Sequence, residues 1–171
     1  MYGYIIATAQ LELPHTLIKS FVISTTTASI REGWSYVDSI PEDQICSTGN
    51  AVLPVVLHYC KRYILEKWFF SKYRLKKKYI SCETPLLVSP PLDLATKKFT
   101  FSLPPPPHGH DGSEWNPDAR HFSPKMAKRE AFMICALISS INEAAVYYKK
   151  TACRGNANMV ANYTFWTDPE H

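Results

Sequence analysis

The sequence predicts a mixed α/β fold in which helices cover short strands, and three stretches carry that prediction. Residues 53–60 (Leu-Pro-Val-Val-Leu-His-Tyr-Cys) are a short apolar run of β-forming residues, typical of a strand buried on both faces. Residues 17–24 have the same character around Phe21-Val-Ile23. An apolar stripe with helical spacing follows Ser123 and predicts the longest helix.

The N-terminal region predicts a helix over residues 1–13, because Tyr2, Ile5 and Ala9 share one face. No N-cap residue precedes this helix, although natural helices usually begin with one. Either the N-terminus is frayed or the natural chain extends upstream of Met1, and the second is our expectation.

Residues 31–51 predict turns and loops between the first two strands. Residues 31–35 indicate a turn in which Trp34 packs against the core, and residues 38–51 form a polar loop that Pro41 interrupts. The strand at 53–60 begins after this loop.

The next stretch, residues 61–78, is here called the basic-aromatic segment. It contains eight Lys or Arg against one acidic residue, Glu66, although the whole chain has a net charge of only +4. Residues 63–70 within it fit a helical turn or a strand equally well. Its aromatic residues could stack on nucleic-acid bases or form another layer of core. A second hypothesis is therefore a binding module for an anionic polymer, against which the modest net charge argues.

Residues 83–122 predict a proline-rich insert without regular structure, because prolines recur through it and four occur together at 104–107. The four prolines favour a polyproline II conformation, so an interaction protein that presents them to an aromatic groove is a third hypothesis. His108 and His110 lie in the same insert and indicate a solvated loop.

The long C-terminal helix has recognisable start and stop signals. Ser123 suits the N-cap and Pro124 the first helical position. Lys149 and Lys150 fall in the last turn, where cations favour the helix dipole, and the helix should stop after Cys153.

His58 is the candidate functional residue, because it stands where the 53–60 strand ends and cations follow it. Ligand crevices in α/β proteins lie at the carboxyl ends of strands, although most histidines on apolar strands belong to the core. The chain contains no Ser-His-Asp order, glycine-rich phosphate loop, HExxH or Asp-x-Asp motif. The residues alone therefore predict an α/β fold with one candidate anion site.

Four stretches carry a family resemblance: Met1-Tyr-Gly-Tyr4, Leu57-His-Tyr59, Trp68-Phe-Phe-Ser-Lys72 and Ile141-Asn-Glu-Ala144 with Cys153 beyond it. In their order and spacing they resemble the hydroxyproline O-arabinosyltransferase and peptidyl-serine galactosyltransferase-like family. Residues 1–82 carry most of the resemblance, and residues 125–153 carry it more loosely.

The resemblance implies the C-terminal part of a GT-A (Rossmann-like) glycosyltransferase domain. Such an enzyme would use a UDP-sugar donor, a divalent metal (Mn or Mg) and a hydroxyproline- or serine-rich protein acceptor, without nucleic acid. His58 would hold the metal. Lys61, Arg62 and Lys72 would bind the donor phosphates, as their charge and proximity suggest.

This chain departs from the family because the Asp-x-Asp half of the domain would lie upstream of residue 1. Residues 1–82 would be the C-terminal part of that domain and residues 83–122 an insert. Residues 123–171 would be a helix and tail packed on the same domain. We therefore expect the chain alone to be inactive. The full-length protein would be Golgi-resident or lumenal, with membrane attachment only through an upstream anchor, since this chain has no targeting segment.

A lumenal location would give the cysteines and one asparagine a role. The chain has five cysteines, and within the family interpretation a Cys60–Cys82 disulfide is the expected pair. Asn162-Tyr-Thr164 matches the acceptor pattern for N-glycosylation.

Overall fold

A computed structural model describes ten parts of the chain: residues 10–12, 21–27, 32–47, 54, 56–59, 62–65, 68–72, 75, 79–96 and 123–164. Their architecture is mixed α/β, with short strands and one long C-terminal helix, so the predicted fold class is confirmed at that level. The helices are α1 (Trp34–Ser39) and α2 (Pro124–Ala152), with 3-10 turns at Glu42–Gln44 and Leu94–Thr96. The strands are β1 (Val22–Ile23), β2 (Val56–Leu57), β3 (Tyr63–Leu65), β4 (Trp68–Phe70), β5 (Leu86–Leu87) and β6 (Ala161–Tyr163).

The strands pair two by two within the described residues. β1 and β2 are parallel, with Val22 opposite Val56 and Ile23 opposite Leu57. Both lie inside predicted strands, but the prediction that the second strand is buried on both faces is wrong. Leu57 packs against the core, whereas Val56 is 37% exposed. Because successive residues of a strand face opposite sides, the core covers only one face of β2.

β3 and β4 pair as antiparallel strands. Of the two structures predicted for residues 63–70, a helical turn or a strand, the strand is therefore the one observed at Tyr63–Leu65 and Trp68–Phe70. The aromatic residues of these strands belong to the core: Tyr63 and Phe70 are at most 1% exposed, and Phe69 is also buried. These rings are therefore not available to stack on bases, and of the two roles predicted for them the core role is the one observed.

α2 begins and ends as predicted. The Ser123 hydroxyl accepts a hydrogen bond from the Met126 N–H at 3.3 Å, and Pro124 occupies the first turn. At the other end the Cys153 N–H donates to the carbonyl oxygen of Lys149, and the chain turns away through Gly155 at φ +88°. A positive φ costs glycine little, so this residue suits the helix stop.

The buried face of α2 is the centre of the core. Phe132, Met133 and Ile134 are at most 1% exposed and belong to one cluster with residues of β3, β4 and α1. The most apolar 18-residue window of α2 has a mean hydropathy of 1.4. By length and composition alone, the helix is long and apolar enough to cross a membrane. Its burial against the strands makes it the core helix of this fold.

α1 replaces part of the predicted turn at 31–35. Trp34 is buried, as predicted, and Val37 lies three residues later on the same buried face. The predicted helix at 1–13 falls largely outside the described residues. Residues 83–96 are the described start of the insert that was predicted to lack regular structure. They contain β5 and the 3-10 turn at Leu94–Thr96, and they supply Leu87 and Leu94 to the core, so regular structure does occur in this part.

Two disulfides cross-link the fold, Cys46–Cys135 and Cys82–Cys153. The predicted Cys60–Cys82 pair is therefore wrong, because Cys82 lies beside the last turn of α2 and bonds to Cys153 there. Cys60 itself lies outside the described residues. The two bonds fit an oxidising, extracellular or secretory-pathway compartment.

Side chains of α2 hold the segment that contains Cys82. The buried Lys149 ammonium donates to the carbonyl oxygens of Ser81, Cys82 and Thr84 at 2.7, 3.3 and 2.6 Å. One helix turn separates Lys149 from Cys153. The hydrogen bonds of the Lys149 ammonium and the Cys82–Cys153 disulfide therefore anchor the same loop.

Asn142 anchors β5 in a comparable way. Its Oδ1 accepts from the Leu87 N–H and its Nδ2 donates to the Leu87 carbonyl, both at 2.9 Å. β6 pairs with β5 in parallel through the N–H groups of Leu86 and of Val88, the residue after β5. Asn142 belongs to the Ile141-Asn-Glu-Ala144 stretch. Its side chain thus positions this pair of strands by binding the backbone of β5.

Candidate functional site

The carboxyl ends of β1 and β2 form one edge, and His58 lies on it. The His58 N–H donates to the carbonyl oxygen of Ile23 at 2.8 Å, which continues the parallel pairing by one residue. Ser24 follows β1 and His58 follows β2, so these two residues lie next to each other at this edge. The His58 residue is exposed, as a ligand-facing histidine would be. This edge corresponds to the usual ligand position of open α/β sheets.

A hydroxyl group of β3 links the two strand ends. The Tyr63 Oη donates to the carbonyl oxygen of Ser24 at 2.6 Å and lies 3.5 Å from the carbonyl oxygen of His58. Because the Tyr63 ring is buried, the contact fixes the backbone of both residues without occupying the His58 imidazole.

The Glu32 carboxylate holds the β1 side of this edge. It accepts hydrogen bonds from the N–H and the hydroxyl of Ser24 at 2.6 and 2.5 Å. The Trp34 Nε1 donates to the same carboxylate and to the carbonyl of Thr25, both at 2.9 Å. Ser24 is thus held in one orientation by an acidic residue just upstream of α1.

Glu130 supports the edge from α2. One carboxylate oxygen accepts from the Thr26 hydroxyl at 2.7 Å, and the other accepts from the Ile64 N–H at 3.0 Å. A buried carboxylate is stable only when hydrogen bonds or charges satisfy it. Glu130 therefore ties the segment after β1 to the β3–β4 hairpin through the core helix.

The next residue of α2, Arg129, joins α1 to the same network. Its guanidinium donates to Asp38 and to the carbonyl of Thr26, and its Cζ lies 4.9 Å from the centroid of the Trp34 ring. Burial alone would raise the pKa of Asp38, but hydrogen bonds and charges from Arg129 and Lys125 outweigh it and lower that pKa. Asp38 consequently remains ionised.

The predicted phosphate-binding cations are only partly described. Arg62 and Lys72 are exposed, and Lys61 lies outside the described residues. Within the described part of the basic-aromatic segment, Arg62 and Lys72 are thus exposed, whereas Tyr63 and Phe70 are buried. These two cations suit contacts with anionic oxygens, and these two rings do not suit base stacking.

His58 could contribute one ligand to a metal ion, because its exposed imidazole is a donor that Mn²⁺ accepts. Within the described ranges, no group of three or more His, Cys, Asp or Glu residues is placed to hold a metal. Among the described residues, His58 thus offers one candidate ligand and not a complete metal site.

The sequence prediction missed the polar residues that fix this edge, namely Ser24, Glu32, Asp38, Tyr63, Arg129 and Glu130. For one of these residues the sequence contains a signal that could have predicted its role. Glu130 lies four residues before Ile134, so it falls on the apolar stripe of α2, where a carboxylate requires a partner. For Glu32 and Asp38, which lie in predicted turn and loop residues, no local signal exists.

Comparisons of the chain with models of known protein families, with curated proteins and with solved structures find no match.

Proposed function

We propose that this chain is the C-terminal part of a nucleotide-sugar-dependent glycosyltransferase with a GT-A-type domain. Its acceptors would be hydroxyproline- or serine-containing proteins. The observation that carries the proposal is the exposed His58 at the carboxyl edge of a parallel strand pair, with its backbone fixed by Ile23. That position agrees with the role that the family resemblance implies for this residue.

In this proposal, His58 holds the metal through its neutral imidazole. The metal, when bound, supplies positive charge that stabilises the diphosphate as the sugar leaves. Lys61, Arg62 and Lys72 neutralise further phosphate oxygens. Tyr63 and the Glu32-bound Ser24 keep the strand ends at a fixed separation, so that the backbone of His58 is in place before the donor binds.

The compartment also supports the proposal. The two disulfides fit a secretory-pathway or extracellular location, and a transferase that modifies secreted proteins would work in the same lumen. Golgi residence is the finer part of this proposal and rests on the family resemblance.

The chain contains no Asp-x-Asp motif, so the acidic metal ligands of the proposed enzyme come from residues outside it. The test uses two proteins: residues 1–171 alone, and the longest product translated from the native transcript. Each is assayed with UDP-sugars, Mn²⁺ and hydroxyproline- or serine-rich peptides. We expect transfer by the longer product only. Transfer by residues 1–171 alone would contradict the proposed division of the site.

His58→Ala in the longer product isolates the proposed ligand. We expect turnover to fall at least about 10-fold and the Mn²⁺ concentration for half-maximal activity to rise, because loss of an outer-shell partner of a metal ligand already costs about 10–100-fold. Lys150→Met, an exposed change on α2, is the matched control and should leave both unchanged. If His58→Ala leaves turnover and metal dependence unaltered, His58 has no part in the site.

A further inference from the structure

Asn162 lies at the centre of β6, where the register with β5 shifts. Tyr163, the next residue, packs against the core, with its ring centroid 5.4 Å from that of Tyr79. Because a register shift interrupts the alternation of side chains, the exposure of Asn162 and of Val160, which precedes β6, shows that they lie at the surface. Both are exposed, Val160 to 60%.

The amide of Asn162 is free within the described part of the chain, because no hydrogen bond engages it there. Two nearby asparagines differ in this respect. Asn142 binds the backbone of Leu87 through both amide atoms. Asn158 donates to the carbonyl of Glu83 and accepts from the Val160 N–H. Of these three, Asn162 presents an unengaged Nδ2 to solvent.

Asn162-Tyr163-Thr164 is also the one Asn-x-Ser/Thr tripeptide with a non-proline centre in the 171 residues. Such a tripeptide is used only in the secretory pathway, and the two disulfides fit that compartment. We propose that Asn162 carries an N-linked glycan, and that the glycan covers the apolar surface formed by Met159 and Val160.

The proposed reaction takes its sugar from a lipid-linked oligosaccharide pyrophosphate. The bond between the first sugar carbon and the pyrophosphate oxygen breaks, and a bond from that carbon to Nδ2 of Asn162 forms. The amide loses one proton and the lipid pyrophosphate leaves. No oxidant or reductant is required. Val160 lies two residues before Asn162 in the chain and is 60% exposed, so its side chain is within reach of the attached sugars.

The test places residues 1–171 behind a cleavable secretory leader in eukaryotic cells. We expect one glycoform whose gel mobility increases after treatment with an amide-cleaving glycosidase, and conversion of Asn162 to Asp by mass spectrometry. Asn162→Gln and Thr164→Ala should each abolish the mobility change. Asn158→Gln, a matched change in the same region, should retain it. A secreted, disulfide-bonded protein whose Asn162 peptide is unmodified would overturn the proposal.

Cell-free translation with microsomes provides the second measurement, because glycan addition there does not depend on secretion of a folded protein. Absence of addition to the translocated chain would equally contradict the proposal. For the covering role, we expect Asn162→Gln to self-associate more than the glycoprotein in light scattering, and Asn162→Gln with Val160→Lys to return to a monomer. Equal scattering of all three would refute that role. Neither measurement depends on glycosyltransferase activity, so this inference and the proposed function can fail separately.

Discussion

The Arg129 guanidinium binds the Asp38 carboxylate with two parallel hydrogen bonds, Nε to Oδ1 at 2.8 Å and Nη2 to Oδ2 at 2.7 Å. Arg129 is 5% exposed and lies over the Trp34 ring, whereas Lys125 reaches the same carboxylate from solvent. The pair joins the end of α1 to the core helix, and Arg129 also binds the carbonyl of Thr26, in the segment after β1.

The first prediction concerns this buried pair. Arg129→Ala removes the buried donor shared by the Asp38 carboxylate and the Thr26 carbonyl and leaves Asp38 with Lys125, so we expect the free energy of unfolding to fall by about 3–5 kcal/mol. Lys125→Ala removes the exposed partner of the same carboxylate and should cost less than about 1 kcal/mol. Urea denaturation followed by tryptophan fluorescence measures both. Equal losses would show that burial does not distinguish the two cations.

The second prediction is a pH dependence that follows from the lowered pKa of Asp38. A carboxyl group with a pKa lower in the folded than in the unfolded state stabilises the fold fully above its unfolded pKa, about 3.9. That contribution is lost as the pH falls through the folded pKa. The stability difference between the wild type and Asp38→Asn should therefore be constant above about pH 5 and shrink towards pH 2. A difference that does not change across this range would contradict the assignment.

The third prediction compares two adjacent lysines of α2. Lys149→Met deprives the carbonyls of Ser81, Cys82 and Thr84 of a buried donor, so we expect a loss of about 2–3 kcal/mol. Lys150→Met changes an exposed residue of the same helical turn and should alter stability by less than about 0.5 kcal/mol. Thermal unfolding followed by circular dichroism can separate these outcomes, and similar midpoints would argue against the three contacts.

The fourth prediction concerns the disulfides. Peptide mapping without reductant, after alkylation of free thiols, should identify the Cys46–Cys135 and Cys82–Cys153 cross-links. Cys153→Ser should lower the free energy of unfolding by about 2–5 kcal/mol, because the bridge closes a long loop. Cys60→Ser is the control, since neither bridge uses Cys60. A peptide that links Cys60 to Cys82 would contradict this pairing.

The fifth prediction tests the link between the two strand ends. Tyr63→Phe removes the hydroxyl that the Ser24 carbonyl accepts, and we expect a loss of about 1–2 kcal/mol. Tyr59→Phe is a matched change in the same region, at a ring that is 43% exposed and contacts Phe70 edge-on. Because phenylalanine preserves that ring contact, the control should retain wild-type stability. Equal effects of the two changes would exclude a specific role for the Tyr63 hydroxyl.

The limits of α2 were predictable because their signals are local. Ser123 and Pro124 favour a helix start, and Gly155 permits the turn that follows its end. β1 was predictable for the same reason, since its β-branched residues require little from the rest of the chain.

The remaining features depend on partners far away in sequence. Cys82 has three other possible partners among the cysteines of the described residues, and the position of its loop beside α2 selects Cys153. Val56 is exposed because no described element covers its side of β2. A valine at this position does not by itself predict that exposure. The fixing of Ser24 by Glu32 likewise depends on how the chain turns between β1 and α1.

The two disulfides overlap along the chain, because Cys82 lies inside the loop closed by Cys46 and Cys135, and Cys153 lies outside it. One peptide-bond cleavage anywhere between residues 46 and 153 therefore leaves both products joined by at least one bridge. A protease that nicks the proline-rich residues 104–107 would produce fragments that separate only under reducing conditions. In an oxidising compartment the protein can thus be processed within this span and remain a single covalent molecule.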